Sequence, residues 1–338
     1  MKKKGLILAG AVILLMLAGG CGKSEAVTPD AVTEENANAS ELPETEEDSM
    51  IQEETAAEEL SAVEEAVKNS QVGDVIEVGS FEQDGDEANG AEPIEWQVLA
   101  DEDGKKLLLS RYILMPLGNI MYDEFPGDGV NYTWAECGIR SYLNGEFYES
   151  AFTDEEKELI AETSIRTTWR DDCSLGAELV DVETISYESF GTEFSYDVGK
   201  MITTDKIFIP DFDEDLAKYL KVEKGDWWMY GTDLLAKATP ASGVQENPYD
   251  QSCFDEAKEL CSEDVNLDES LIGENFGDYI MRNGGSFGVT DMNGESIKTT
   301  AFYVVSGECG GSFSPYWLTE LTDRTDVGIR PMMWVNVE

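Results

Sequence analysis

Short apolar stretches separated by turn-forming residues open the folded part of the chain. Residues 74–79, 94–99 and 106–112 are rich in Val, Ile, Leu and Trp, as is typical of β-strands. The segments between them contain Asp-Gly and Asn-Gly pairs, which favour tight turns. This pattern predicts an antiparallel meander.

The middle of the chain has a helical pattern instead. Apolar residues recur about every three to four positions from Trp134 to Phe147. Thr153 and Glu156 have the spacing of a capping box, which predicts that a helix begins there. A buried strand is predicted over 206–209, ended by Pro210. A helix is predicted to begin at Asp211, and two further helices are predicted over 226–237 and 254–260.

The C-terminal part returns to β-type patterns. Residues 286–290 and 296–300 flank an Asn-Gly pair that signals a hairpin, and two more apolar stretches, 301–306 and 327–337, follow. Because regular alternation of strand and helix is absent, we predict an α+β fold, mainly antiparallel sheet with several flanking helices. One compact domain is favoured over two.

The first twenty residues have the pattern of a secretory signal. Three lysines precede an apolar run over 6–17, which is shorter than the ~20 residues of a membrane-spanning helix. Small residues then lead to Cys21, an order that resembles the lipobox of bacterial lipoproteins, although Ala18 stands where that pattern most often has Leu. The resemblance implies that residues 1–20 are a removed signal peptide and that Cys21 is lipidated. The protein is then held on the extracellular face of the cell membrane; ordinary cleavage beside an incidental cysteine is the alternative.

An acidic segment follows the signal. Residues 22–70 contain fifteen acidic residues, two lysines and no aromatic residue, a net charge of −13. Such a segment cannot bury enough apolar surface to offset the entropy of ordering it. We predict a disordered tether over 21–70 that holds a single domain, 71–338, away from the membrane. Because Leu60, Val63 and Val67 recur at helical spacing, the end of the tether is expected to form a helix packed loosely on the domain.

Composition narrows the function of the domain. The 338-residue chain has no histidine and a net charge of −48, of which −38 belongs to residues 71–338. Without histidine there is no Ser-His-Asp or Cys-His nucleophile and no histidine-bound zinc. Nucleic acid is excluded as a partner, because binding phosphates requires clustered Lys and Arg. The expected ligands are neutral or cationic.

Several sequence blocks are distinctive. They are VGDVIEVGSFEQD (72–84), PIEWQVL (93–99), IRSYLN (139–144), AFTDEE (151–156), DKIFIP (205–210), PYWL (315–318) and GIRPMMWVN (328–336). In this order they resemble the family catalogued as domain of unknown function 6273, which is common on the surfaces of gut Firmicutes. The resemblance implies a bacterial, Gram-positive surface lipoprotein and brings no activity with it. Thr319 and Glu320 depart from the family, which usually has an arginine after Trp-Leu.

The strand that contains Arg330 resembles a second group. Gly328-Ile329-Arg330 is similar to the end of formylglycine-generating-enzyme and C-type-lectin-like folds, which implies a lectin-like architecture and nothing about activity. Arg330 itself has two interpretations, an internal ion pair near the sheet and a contact with ligand. The ion pair is favoured.

Cysteines and carboxylates mark no active site. After Cys21 an odd number of cysteines remains, and their disulfide pairing stays open. They are Cys137, Cys173, Cys253, Cys261 and Cys309. If one helix holds Cys253 and Cys261, about 12 Å separates them, which is too far for a disulfide. Asp211, Asp213 and Asp215 alternate as in a calcium loop, but the Gly and Glu of an EF-hand are missing. No cofactor is predicted; chance clusters of carboxylates leave calcium open.

Aromatic residues with polar neighbours are the most suggestive feature. Sugars stack on aromatic faces and carboxylates bind sugar hydroxyls, so we predict non-catalytic recognition of an extracellular glycan or peptide. The residues predicted to bind ligand are Trp227, Trp228, Tyr316, Trp317 and Arg330, and Trp169 belongs to the same group of aromatics. Three alternatives stay open: tryptophans that fill the core, a carboxylate-dependent hydrolase acting on extracellular glycan, and a structural component of the envelope.

Overall fold

The computed structural model describes residues 62–118, 133–172, 178–189, 192–224, 229–290, 296–308, 312–317 and 326–337. The strands of these parts are β1 (Val75–Phe81), β2 (Glu92–Glu102), β3 (Lys105–Ser110), β4 (Met115–Pro116), β5 (Thr163–Asp171), β6 (Val180–Ser189), β7 (Thr192–Asp205), β8 (Ile207–Phe208), β9 (Glu223–Lys224), β10 (Met229–Tyr230), β11 (Glu246–Pro248), β12 (Asn275–Thr290), β13 (Ser296–Val305), β14 (Ser312–Trp317), β15 (Val327–Ile329) and β16 (Met332–Asn336). The α-helices are 62–69, Gly138–Tyr142, Tyr148–Ala151, Asp154–Leu159, Ala217–Tyr219 and Gln251–Leu260. Single turns of other helix types are Trp134–Glu136, Leu143–Phe147, Phe212–Leu216, Thr232–Leu234, Pro240–Ser242 and Glu269–Leu271.

The smaller of the two main sheets contains the predicted meander. Its strand order is β1-β2-β3-β16-β8, and all its pairs are antiparallel. Trp96 on β2 is fully buried, and its indole nitrogen donates to the Val78 carbonyl of β1 at 2.8 Å. The strand predicted over 206–209 is β8, which lies at the edge beside β16. Both predictions are confirmed.

The larger sheet has the order β14-β13-β12-β5-β7-β6. Its pairs are antiparallel except that β12 runs parallel to both β5 and β15. The predicted C-terminal hairpin is confirmed in its strands, because Thr290 of β12 pairs with Ser296 of β13; its turn lies outside the described residues. The single strand predicted over 327–337 is wrong. It is divided at Pro331, which has no amide hydrogen to continue a ladder, so β15 and β16 belong to different sheets.

One hydrophobic cluster contains buried side chains from both main sheets. Trp96, Trp134 and Trp169 are completely buried in it. The ring of Trp169 lies 5.7 Å from that of Phe302, and its indole nitrogen donates to Ser286 Oγ at 3.0 Å. These three tryptophans therefore fill the core, and the grouping of Trp169 with the ligand-binding aromatics is wrong. The mixed helix and antiparallel sheet content confirms the α+β class.

The capping box sets the start of one helix as predicted. Thr153 Oγ1 accepts the Glu156 amide at 3.2 Å, and a Glu156 carboxylate oxygen accepts the Thr153 amide at 2.9 Å. The helix predicted over 254–260 is confirmed as part of Gln251–Leu260. The helix predicted over 226–237 is wrong where it is described, because Gly231 has a φ of +135°, and β10 and a single 3₁₀ turn flank it.

The last part of the predicted tether is helical. Residues 62–69 form a helix, Val67 is buried in the core, and Val63 packs against it. The predicted helix at the end of the tether is confirmed. None of the described helices combines the length and apolar character needed to cross a membrane.

The described cysteines have two different states. Cys253 is disulfide-bonded, whereas Cys137 and Cys261 are free; Cys173 and Cys309 lie outside the described residues. Cys253 and Cys261 are not bonded to each other, because the first is disulfide-bonded and the second is free. The helix Gln251–Leu260 holds Cys253 and ends before Cys261. Burial raises the pKa of the Cys137 thiol to about 12 and that of Cys261 to about 11. Both free thiols are therefore protonated and weakly nucleophilic at neutral pH.

A buried ionic network joins the start of the helical segment 212–219 to the large sheet. Asp211 accepts the amides of Asp213 and Glu214 at 2.9 and 3.1 Å, which confirms it as the cap. Its carboxylate also accepts the Thr168 amide of β5 at 2.6 Å. Asp215 accepts the Asp211 amide at 2.8 Å and pairs with the buried Arg282 of β12. Asp211 and Asp215 therefore bind groups of the protein itself and stabilise the fold, instead of forming a calcium loop.

Asp211 gives the stability a definite pH dependence. Burial raises the pKa of its carboxyl from 3.8 to about 6, so the folded chain binds this proton more tightly than the unfolded chain. The contribution of this group to stability therefore increases as the pH falls from about 7 to about 4, by up to about 3 kcal/mol. We expect the unfolding free energy of Asp211→Asn to change less over this range than that of the wild type. Urea unfolding at several pH values measures this, with the exposed Asp213→Asn as control; equal slopes for wild type and Asp211→Asn would contradict it.

Candidate functional site

The residues predicted to bind ligand are distributed over three places in the sequence. Trp227 and Trp228 lie outside the described residues. Tyr316 and Trp317 belong to β14, where their backbones pair with Phe302 and Ala301 of β13; their side chains are outside the described part. Cys21 is also outside it. The assignments of these residues remain predictions.

Arg330 lies in the interior, between the two sheets. Its side chain is buried, and its Nε donates to the Ser110 carbonyl of β3 at 2.8 Å. One terminal nitrogen lies 3.3 Å from the Tyr279 hydroxyl of β12 and 3.4 Å from the Leu234 carbonyl. Among the described residues its partners are therefore neutral oxygens rather than carboxylates. Arg330 joins the two sheets, and its assignment to ligand binding stays a prediction.

A two-stranded extension of the large sheet offers a different surface. β5 pairs with residues 197–205 of β7, whereas β6 pairs with residues 192–200. Beyond the pair Asp171–Asp197, where β5 ends, only β6 and β7 continue, as a two-stranded hairpin. We call residues 183–189 and 192–197, its base included, the ribbon. Most of its described side chains are exposed on both faces. The ribbon is thus an arm of the sheet rather than a part of the core.

One face of the ribbon has a continuous row of aromatic side chains. Tyr187 stacks on Phe194 with ring centroids 5.4 Å apart, and Tyr196 lies 6.0 Å from Tyr187. The Arg170 guanidinium follows, 3.7 Å from the Tyr196 ring and 5.3 Å from the Phe287 ring. These five side chains form what we call the aromatic row. Tyr187 and Phe194 are 46% and 44% exposed, so their rings are available to a ligand.

Arg170 fixes the inner end of the aromatic row. Its Nε and one terminal nitrogen donate to the two carboxylate oxygens of Asp172 at 2.6 and 2.7 Å. This bidentate geometry orients the guanidinium plane, and a cation over an aromatic face contributes roughly 0.5–1 kcal/mol at an exposed site. Arg170 is therefore held between a carboxylate and two rings. The aromatic row has a fixed base and a more exposed tip.

The opposite face of the ribbon is polar and acidic. Thr184 donates to Asp197 at 2.7 Å, and Glu188 lies directly opposite Glu193 across the two strands. Like charges directly opposite each other destabilise a strand pair. Residues 183–197 contain four carboxylates and no Lys or Arg, whereas Asp181, just outside the ribbon, is paired with Arg166 at 2.6 Å. The ribbon therefore combines an aromatic face with an uncompensated negative charge.

Carboxylates elsewhere provide one group with ligand-like spacing. Glu82, Asp84 and Glu92 each offer an oxygen within 4.8 Å of the others, the one such group among the described residues. Hydrogen bonds from Asn89 and the Asp86 amide lower the pKa of Asp84. Oxygen ligands of this kind suit a hard cation such as calcium, and these residues could hold it. Exposed acidic groups are also common without an ion.

A hydrogen-bonded corner connects two of the distinctive sequence blocks. Asn144 Oδ1 accepts the amides of Lys206 and Ile207 at 2.8 and 3.2 Å, and its Nδ2 donates to the Ile207 carbonyl at 2.8 Å. Arg140 donates to the buried Asp205 at 2.6 Å. The blocks 139–144 and 205–210 therefore meet in one structural unit.

This corner lies within the part of the chain that other sequences share. Residues 103–231 match the model of a family described as Domain of unknown function (DUF6273). The match supports the predicted domain family over these residues, which include the ribbon as well as the corner. No curated protein and no solved structure matches the chain. The description of the family gives no activity.

The aromatic row was missed at the sequence level although a signal for it is present. Apolar residues alternate with polar ones around Tyr187 and again from Phe194 to Val198, the period of two that is typical of strands. The irregular pairing between Val180 and Glu183 interrupts this alternation. Together, the two alternating stretches are typical of the two strands of a hairpin.

Proposed function

We propose that the protein is a lipid-anchored extracellular binding protein whose aromatic row recognises a glycan or peptide ligand at the cell envelope. The observation that carries the proposal is the exposure of Tyr187 and Phe194 on an arm outside the core. Exposed apolar patches of this kind are typical of interaction sites. Tyrosine is also among the residues that contribute most to binding energy at interfaces.

The charge of the domain supports ligands that are neutral or cationic. The net charge of −38 over residues 71–338 repels other anions. Aromatic faces accept both the apolar faces of sugars and the cationic groups of Lys or Arg side chains. The aromatic row therefore fits both ligand classes that the sequence left open.

The extracellular part of the proposal is supported by the disulfide at Cys253. Disulfides persist in oxidising compartments and are rare in the cytosol, in agreement with the signal peptide and the lipidated Cys21. The acidic tether would then hold the ribbon away from the membrane surface. A lectin-like architecture, suggested by the Gly328-Ile329-Arg330 ending, belongs to the same proposal.

The described residues do not favour the alternative of a carboxylate-dependent hydrolase. A general acid of that kind needs a raised pKa and access to the substrate. Burial raises the pKa of Asp211, but this carboxylate is fully buried and is held by Thr168, Asp213 and Glu214. It therefore stabilises the fold instead of facing a cleft.

The anchor is tested by replacing Cys21. We expect Cys21→Ala to release the protein from the membrane, because the lipidated cysteine is the attachment point and two acyl chains are sufficient for stable anchoring. Fractionation of cells that express the wild type or the variant measures this, and Cys261→Ala serves as the matched control. Membrane retention of the Cys21 variant would contradict the proposal.

Ligand recognition is tested on glycan and peptide arrays with the full chain in detergent micelles, with and without calcium. We expect binding to one class of ligand and a loss of at least about tenfold in affinity for Tyr187→Ala/Phe194→Ala, since two exposed anchor residues are removed. Leu260→Ala, which alters a still more exposed apolar residue (62%) on the helix Gln251–Leu260, should bind normally. Absence of binding, or binding that the double variant leaves unchanged, would contradict the proposal.

A further inference from the structure

The outer edge of β6 is open in the described structure. β6 is the last strand of the large sheet, and among the described strands it pairs with β7 alone. From Glu183 to Ser189 this pairing is regular. Because alternate amides and carbonyls of an edge strand point outward, this stretch presents an ordered set of donors and acceptors to solvent.

This edge has few of the features that usually prevent strand addition. Natural edge strands are protected by Pro, charged side chains (Lys above all), bulges or short length. β6 is ten residues long and contains neither Pro nor Lys. Its charged side chains are all acidic, so they repel a further acidic strand but not a basic one. Its irregular pairing lies at one end, between Val180 and Glu183, where Asp181 has a φ of +51°. The remaining stretch is suited to pair with another extended chain.

The two faces beside this edge differ in the side chains they would accept. Ile185 and Tyr187 lie on the face of the aromatic row, and Ser186 and Glu188 lie on the other. An open depression of about 540 Å³ is lined by Ser186, Tyr187, Glu188 and Glu193. A strand added here would place alternate side chains near the aromatic ring and near the opposed carboxylates.

Charge decides which chain could occupy the edge. A second copy would bring another four carboxylates without a base from its own residues 183–197, so like charges disfavour pairing of two β6 edges. A basic chain would instead reduce the repulsion between Glu188 and Glu193. A glycan has no main chain of amides and carbonyls at the spacing of a strand, so it could not extend the ladder.

We propose that the outer edge of β6 receives an extended, basic polypeptide segment as an added strand. This inference rests on the proposed function and names its ligand class. Main-chain hydrogen bonds to residues 183–189 supply affinity, and the alternating side chains supply specificity, as in other cases of strand addition. Lys or Arg side chains of the ligand contact Glu188 and Glu193 on one face, and the other face contacts Tyr187.

The test uses the full chain in detergent micelles and a ten-residue peptide of alternating Lys and Thr. One control peptide has every amide N-methylated, which keeps the side chains and charge but removes the donors. A second control replaces Lys by Glu. We expect the Lys-Thr peptide to bind at least about tenfold more tightly than either control. Glu188→Lys/Glu193→Lys should reverse the preference between the Lys and Glu peptides.

Amide hydrogen exchange supplies a readout specific to strand addition. Adjacent amides of a strand point to opposite edges, so binding should slow exchange at every second residue from Glu183 to Ser189. Equal binding of the N-methylated peptide, without this alternation, would overturn the inference. If a glycan binds the aromatic row and no peptide does, strand addition fails while the proposed function stands. If Tyr187→Ala/Phe194→Ala changes the binding of no ligand, the proposed function fails as well.

Discussion

The alternation of side chains along β5 connects the hydrophobic core to the aromatic row. Trp169 points into the core and contacts Phe302, while Arg170, the next residue, points to the opposite face and contacts Tyr196. Gly284 of β12 lies beside Trp169, and a Cβ there would overlap a neighbouring carbonyl oxygen. The close packing around one buried tryptophan therefore sets the position of the arginine at the base of the ribbon.

The ribbon itself is held by modest interactions. A two-stranded hairpin is marginally stable alone in water, and each cross-strand aromatic pair contributes roughly 0.2–1 kcal/mol. The pairing of Tyr187 with Phe194 is offset at the next position by the opposed Glu188 and Glu193. The base is fixed by Arg170 and the tip is destabilised by its own charge. A cationic ligand would reduce the repulsion between Glu188 and Glu193 at the tip of the ribbon, which is its least stable part.

Local signals account for the parts of the fold that could be predicted. The Thr153 capping box and the Asp211 cap each depend on residues within three or four positions, and the meander is marked by its turns. Contacts between distant residues could not be predicted in this way. Arg140 and Asp205 are 65 positions apart, and nothing in their spacing indicates that they meet.

The candidate site was harder to predict because aromatic residues have opposite roles in different parts of the fold. Trp169 fills the core, whereas Tyr187 and Phe194 are exposed on the ribbon, and all three stand among polar neighbours. Period-two patterns show that alternate residues share a face, but they do not show which face meets the core. That choice depends on the extension of β6 and β7 past β5, which is a property of the whole sheet.

We propose the ribbon as the surface through which the protein binds its ligand. Hydrogen–deuterium exchange of the full chain in detergent micelles, with and without solubilised cell-envelope glycan and peptide fragments, tests it most directly. We predict slower exchange confined to residues 183–197, with the strands around Trp96 and Trp169 unchanged. Protection elsewhere on the domain, with exchange in the ribbon unaltered, would contradict it.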